Sequence, residues 1–159
     1  MANWIDPTPT RPGEAALTQA QVDSWRERGY AFVAGLFPNT VVETLRAAAA
    51  TLFPAPDTAE ADTVTDFGSG GRLTFPSRCD AFNAVTLHPR LLTAIGQLLG
   101  VAATELRLTQ SDLWPKYGRH AGDRGPTDND DQRMHVDYPN HTLAHPPPWR
   151  TPEAVELIL

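Results

Sequence analysis

The segment that most constrains this chain is Asp131-Gln132-Arg133-Met134-His135-Val136-Asp137-Tyr138-Pro139-Asn140-His141-Thr142-Leu143. Read as a strand, its alternation sets His135 and Asp137 on one face, about 7 Å apart along the backbone, with Met134 and Val136 on the other. An imidazole nitrogen and a carboxylate oxygen so placed can converge on one ion. A second His arriving from elsewhere would fill one side of an octahedron and leave the other open, the facial-triad arrangement of non-haem Fe(II) centres. With 12 Asp and 5 His in 159 residues, a His-x-Asp spacing arises by chance about 0.4 times. The tripeptide by itself therefore also reads as solvated side chains on an ordinary strand near a turn.

Length and charge narrow the classes. A chain of 159 residues, 41% hydrophobic and 20% charged, can bury one core, so a single globular domain is expected. Acidic residues exceed basic ones 19 to 13, for a net charge of −6, which argues against nucleic acid or an anionic membrane as partner. The single Cys79 excludes an intramolecular disulfide, and no run of about 18 apolar residues is present to span a membrane. Residues 1–13 lack the apolar centre of a signal peptide, so a reducing cytoplasm is the expected compartment. Lys116 is the one Lys beside 12 Arg.

Pro7, Pro9 and Pro12 keep residues 1–16 extended, a flexible N-terminal arm ahead of a domain over 17–159. Thr18-Gln19-Ala20-Gln21 has the form of a capping box, and the helix it opens is expected to run to Arg28 before Gly29, with Leu17, Val22 and Trp25 inward. Tyr30–Val33 reads as a short strand with Tyr30 and Phe32 on one face. Thr40-Val41-Val42-Glu43 is a second capping box, opening a helix with Val41, Leu45, Ala48 and Leu52 at helical spacing, stopped by Pro54 and Pro56. Ala55–Gly71 reads as a long loop whose Gly68-Ser69-Gly70-Gly71 is too irregular to cradle a phosphate. Arg72–Phe75 reads as a strand ended by Pro76.

His88 precedes Pro89 at a helix start, and Leu91, Leu92, Ile95, Leu98 and Leu99 form an apolar stripe closed by Gly100. A cap explains His88 without a metal. Leu106–Leu113 alternates as a strand whose Leu106 and Leu108 are apolar, while Gln110, Asp112, Trp114 and Lys116 continue the same parity with other chemistry. Such a strand either passes from the core into a polar pocket or emerges into solvent. Asp128, Asp130 and Asp131 lack the order and the flanking helices of an EF-hand, so calcium is not expected. Pro146-Pro147-Pro148 is a stiff connector, and Val155–Leu159 reads as a further strand, with Leu157 and Leu159 on one face and Ile158 on the other.

Taken together these features resemble the phytanoyl-CoA dioxygenase family of Fe(II)- and 2-oxoglutarate-dependent oxygenases. The likeness runs from Leu17 to Leu159. It comprises the opening pattern Leu17, Gln21, Trp25, Gly29, Tyr30, the helix Val41–Ala50, the Leu-Arg-Leu-Thr-Gln-Ser strand, and His135-Val136-Asp137 with its Tyr138–Leu143 continuation. The resemblance implies an α+β fold with a mainly β core, a double-stranded β-helix or jelly roll preceded by helices. It implies His135 and Asp137 as two of three iron ligands, and Gln110, Asp112 and Lys116 as candidates to line the 2-oxoglutarate or substrate pocket, with Trp149 near its mouth or simply packed. The implied chemistry is hydroxylation of a small-molecule or acyl-type substrate as 2-oxoglutarate is converted to succinate and CO₂. The family's distal His and its carboxylate-binding Arg have no counterpart here. Pro139 separates His141 from Asp137, and His145 sits beside the Pro run, so neither replaces the missing ligand. The chain is accordingly expected to be the N-terminal part of such an enzyme. The alternative is a catalytically silent relative acting only as a folding fragment or binding module.

Overall fold

In the computed structural model, residues 15–62, 64, 73–115 and 154–159 are described. Helix α1 (Gln19–Arg28) begins where its cap dictates. Thr18 Oγ1 accepts from the Gln21 amide at 3.3 Å, and Gln21 Oε1 accepts from the Thr18 amide at 2.8 Å, so two amides that the helix leaves unpaired are satisfied reciprocally. Gly29 ends the helix at φ 81°, a left-handed conformation that only glycine adopts at no steric cost, and its N–H bonds the Trp25 carbonyl. Thr18→Ala is expected to lower stability by about 1 kcal/mol, while Thr18→Ser keeps the acceptor and most of that stability. Urea midpoints of the two variants check it, and an unchanged midpoint for the alanine variant would remove the cap from the account.

The chain ahead of α1 is docked, although the sequence assigns Ala16 to an extended arm. Ala16 and Leu17 are buried, and their amides both donate to Gln97 Oε1, at 2.7 and 2.9 Å.

Helix α2 (Asn39–Leu52) starts one residue before the expected cap. Thr40 does not cap it. The Pro38 carbonyl closes the first turn by accepting from the Val41 and Val42 amides at 3.0 and 3.2 Å, and the Thr40 carbonyl accepts from Thr44 Oγ1 at 2.7 Å inside the helix. Phe53 then turns extended, at φ −119° and ψ 146°, as the residue before Pro54 is obliged to do. Within the stretch read as loop, one helical turn, α3 (Ala59–Asp62), forms on Thr58, whose Oγ1 accepts from the Ala61 amide at 3.3 Å.

Helix α4 (Asp80–Thr86) has no counterpart among the sequence expectations. Its seven residues are too few to display a helical period, and its start is set by a local exchange. The Ser77 amide donates to Asn83 Oδ1 at 2.9 Å while Asn83 Nδ2 donates to the Ser77 carbonyl at 2.8 Å. α4 buries Ala81, Phe82, Val85 and Thr86. Helix α5 (Pro89–Leu99) follows the sequence reading at both ends, with His88 as cap, Pro89 in the first turn and Gly100 at φ 71° as the stop.

The described part of the core lies between helices. Leu17 and Val22 from the start of the chain, Leu36 and Phe37 from the α1–α2 connection, Val41, Phe82, Val85, Leu91 and Ala94 form one cluster, with Leu45, Ala48, Leu52, Ile95 and Leu98 packed against it. Burial of this apolar face, rather than helix propensity, is what holds short helices such as α4. Among the described residues the β component is one antiparallel pair, β1 (Leu73–Thr74) with β2 (Asp112–Leu113) in the register Leu73–Leu113 and Thr74–Asp112. The described residues are therefore α+β, and the part of the core that they form is helical.

Three expected strands take other forms. Tyr30–Val33 keeps its alternation but joins no sheet among the described residues, and its aromatic face points outward, with Tyr30 62% and Phe32 85% exposed. Only the last residues of Leu106–Leu113 pair as β2, after a 3-10 turn at Ala103–Glu105, and Leu108 is exposed. Ala154–Leu159 forms no strand. Alternation qualifies a segment for a sheet, but pairing needs a partner edge, and the helical layer occupies the apolar side instead. No helix among the described residues is long and apolar enough to cross a membrane.

Candidate functional site

Of the residues expected at a pocket, Asp112 lies in the short β-pair. Directly opposite residues of an antiparallel pair share a face, so Leu73 and Leu113 lie on one side and Thr74 and Asp112 on the other. Leu73 and Leu113 pack against the helical core. The same side carries Ser111, whose Oγ lies 2.9 Å from Oγ1 of the buried Thr86 on α4, and whose carbonyl accepts from the Phe75 amide at 2.9 Å. These two bonds tie the entry of β2 to both α4 and the end of β1.

Asp112 therefore belongs to the face turned away from the helices. Gln110, two residues earlier, is exposed and donates from Nε2 to Asp112 Oδ2, so these two expected site residues are brought together. The parity that the sequence assigned to core is reversed. Leu106 and Leu108 share the parity of Gln110 and Asp112, and instead of anchoring the strand they are half-buried and exposed respectively. The core-facing set is Leu113 with Ser111. Lys116, His135 and Asp137 lie outside the described residues, as do Trp149, His141 and His145. Among the described residues no three His, Cys, Asp or Glu side chains are grouped as a metal centre would need.

His88, read from the sequence as a cap, is one. Its Nδ1 accepts from the Arg90 amide at 3.2 Å, its ring is buried, and it meets the Phe37 ring edge-on at a centroid distance of 5.1 Å and 87°. Burial lowers its pKa from the ordinary 6.5, and the positive charge of Arg90 lowers it further. A neutral imidazole in this position is a structural acceptor.

An open apolar groove of about 580 Å³ runs between α1, α5 and the two segments expected as strands, Tyr30–Val33 and Val155–Leu159. Trp25, Ile95 and Leu98 contribute to its walls, and Ile158 and Leu159 beside it are 87% and 69% exposed. Tyr30 and Glu156 are the titratable side chains in its lining, and Gln110 and Asp112 take no part. Binding sites for reacting small molecules combine apolar walls with converging polar groups, and this groove supplies chiefly the walls.

The contact between Thr86 and Ser111 escaped the sequence reading. Its partners are 25 residues apart, and no local pattern joins two hydroxyls at that separation. Compared with models of known protein families, with curated proteins and with solved structures, the chain matches none.

Proposed function

We propose that this chain carries two of the three protein ligands of a non-haem Fe(II) centre, His135 and Asp137, in a 2-oxoglutarate-dependent dioxygenase of the phytanoyl-CoA dioxygenase type, with a jelly-roll core, acting on a small-molecule or acyl-type substrate. The observation that carries this reading is the His135-Val136-Asp137 spacing, which on a strand would set both side chains on one face, in a chain that opens with the Leu17, Gln21, Trp25, Gly29, Tyr30 pattern. The iron, when bound, would supply activation of O₂. Asp137 contributes charge to hold it, and His135 a neutral nitrogen. Gln110 and Asp112 form a hydrogen-bonded pair, and the exposed Gln110 side chain can meet a polar cosubstrate. Lys116 follows on the same parity and offers a cation for a carboxylate.

Anaerobic calorimetric titration of the 159-residue chain with Fe(II) tests the assignment. Weak binding is expected, because two side chains leave the ion held mainly by water, and His135→Ala and Asp137→Ala should each abolish the signal while Gln110→Ala retains it. Equal binding by the parent and both ligand variants would overturn the reading. Without an arginine fork for the keto acid, the same chain is expected to form no succinate from 2-oxoglutarate. Succinate formation lost in His135→Ala would place a third ligand within these residues. A second reading, a catalytically silent relative that acts as a binding module, is favoured by the exposed apolar groove that carries Phe32 and Ile158. Absence of any His135-dependent metal binding would favour it.

A further inference from the structure

The elbow between α4 and α5 turns on one imidazole. The His88 amide donates to the Val85 carbonyl at 3.1 Å at the end of α4, the His88 carbonyl accepts from the Leu92 amide at 3.1 Å in α5, and Nδ1 accepts from the Arg90 amide. As an acceptor Nδ1 carries no proton, which puts the proton of the neutral ring on Nε2. The ring is 4% exposed and stands edge-on to Phe37, a member of the helical core. In this pose the imidazole cannot take a second proton and keep its bonds. An imidazolium has only donors, so Nδ1–H would face the Arg90 N–H, donor against donor, inside an apolar surround.

We propose that His88 is an acid-sensitive catch: protonation of Nδ1 releases the Arg90 amide, uncaps α5 and loosens the α4–α5 elbow from Phe37. Arg90, two residues along α5, adds a positive charge that opposes protonation. Of the neighbouring elements, α4, joined to His88 through its backbone, carries Asp80 at its far end, and the connection whose Phe37 meets the ring has Tyr30 at its start. Among the described residues no carboxylate is paired with the imidazole to stabilise its charged form.

The sign follows from the two states. In the unfolded chain the imidazole titrates at its ordinary 6.5, and in the fold it does so lower, because burial and Arg90 disfavour the cation. Between those values the unfolded state binds more protons. The stability from this site is therefore fully present above 6.5 and is lost as pH falls from there through the folded value.

The discriminating variant is His88→Asn, because an asparagine at this position still offers an oxygen to the cap but does not titrate. For the full chain, urea unfolding at several pH values from 7.5 down to 5 should show the folded-to-unfolded ratio falling by up to a factor of ten per pH unit below 6.5. That fall should be measurably shallower in His88→Asn, whose remaining slope belongs to the other histidines and the carboxylates. In the unmodified chain, hydrogen exchange at the Arg90 amide, corrected for intrinsic rate, should lose protection in step with titration of the His88 ring followed by NMR. Parallel pH dependence in the two chains would overturn the proposal. So would an Arg90 amide whose protection is indifferent to the ionisation of His88, a result that needs no variant to fold.

Discussion

Gln97→Ala is expected to lower the free energy of unfolding by about 2–6 kcal/mol, the cost of leaving two partly buried amides without an acceptor at about 1–3 kcal/mol each. Gln97 reaches from α5 to the residues before α1. Its Oε1 accepts from both the Ala16 and Leu17 amides, and its Nε2 donates to the Leu17 carbonyl at 3.3 Å. One side chain thus replaces the ladder that a strand or helix would have provided for this backbone, and holds Leu17 in the core between the two helices. Gln97→Glu separates the terms. A carboxylate keeps the acceptor for both amides and loses only the donor, so it should cost less than about 1 kcal/mol at neutral pH. Urea unfolding with an unchanged slope measures both. An alanine variant no less stable than the glutamate variant would mean that these hydrogen bonds do not fasten the chain.

Gly96→Ala is expected to destabilise the protein by about 1–3 kcal/mol, opposite in sign to the gain of about 0.8–1 kcal/mol that helix propensity alone assigns to replacing glycine in a helix. A Cβ built on Gly96 would lie 2.8 Å from the Val101 carbonyl oxygen, closer than real Cβ contacts come, and the obstructing atom is backbone. Val101 is held there because its amide donates to the Gly96 carbonyl at 3.0 Å, the six-to-one bond of a Schellman ending that Gly100 permits by turning left-handed. Relieving the contact would open that bond and shift the 3-10 turn at Ala103–Glu105 that follows. Thermal unfolding, with exchange protection at the Val101 amide as a local reading, checks this. A variant that melts higher than the parent would show that the turn yields easily.

The helix ends and the residues near the β-pair differ in how far local sequence specifies them. The α1 cap at Thr18, its stop at Gly29, the His88-Pro89 start of α5 and the Gly100 stop are each contained within about four residues. Their physics is the hydrogen bonding of a helix terminus and the φ of a single residue, which local sequence specifies. Even so, Thr40 had the same signature as Thr18 and does not cap α2, which begins at Asn39 with Pro38 at the cap position and Thr40 already inside the first turn. Of the residues expected at a pocket, Gln110 and Asp112 are close enough in sequence that their side chains meet. Which side of the sheet they occupy was not legible, since alternation identifies two faces without saying which one meets the helices. Leu106 and Leu108 offered the wrong one.

Local sequence dictates helix ends, helix faces where apolar residues recur over several turns, and pairs of residues that share a strand face. Which extended segments find partners, and which residues face the core, depends on contacts made in the folded chain. Leu113 pairs with Leu73 across 40 residues of chain, and Thr86 meets Ser111 across 25. Tyr30–Val33, with equally good alternation, lies outward beside the groove. The physical reason is that strand pairing and burial are satisfied by atoms distant in sequence, so the free energy that selects among them is absent from any short window.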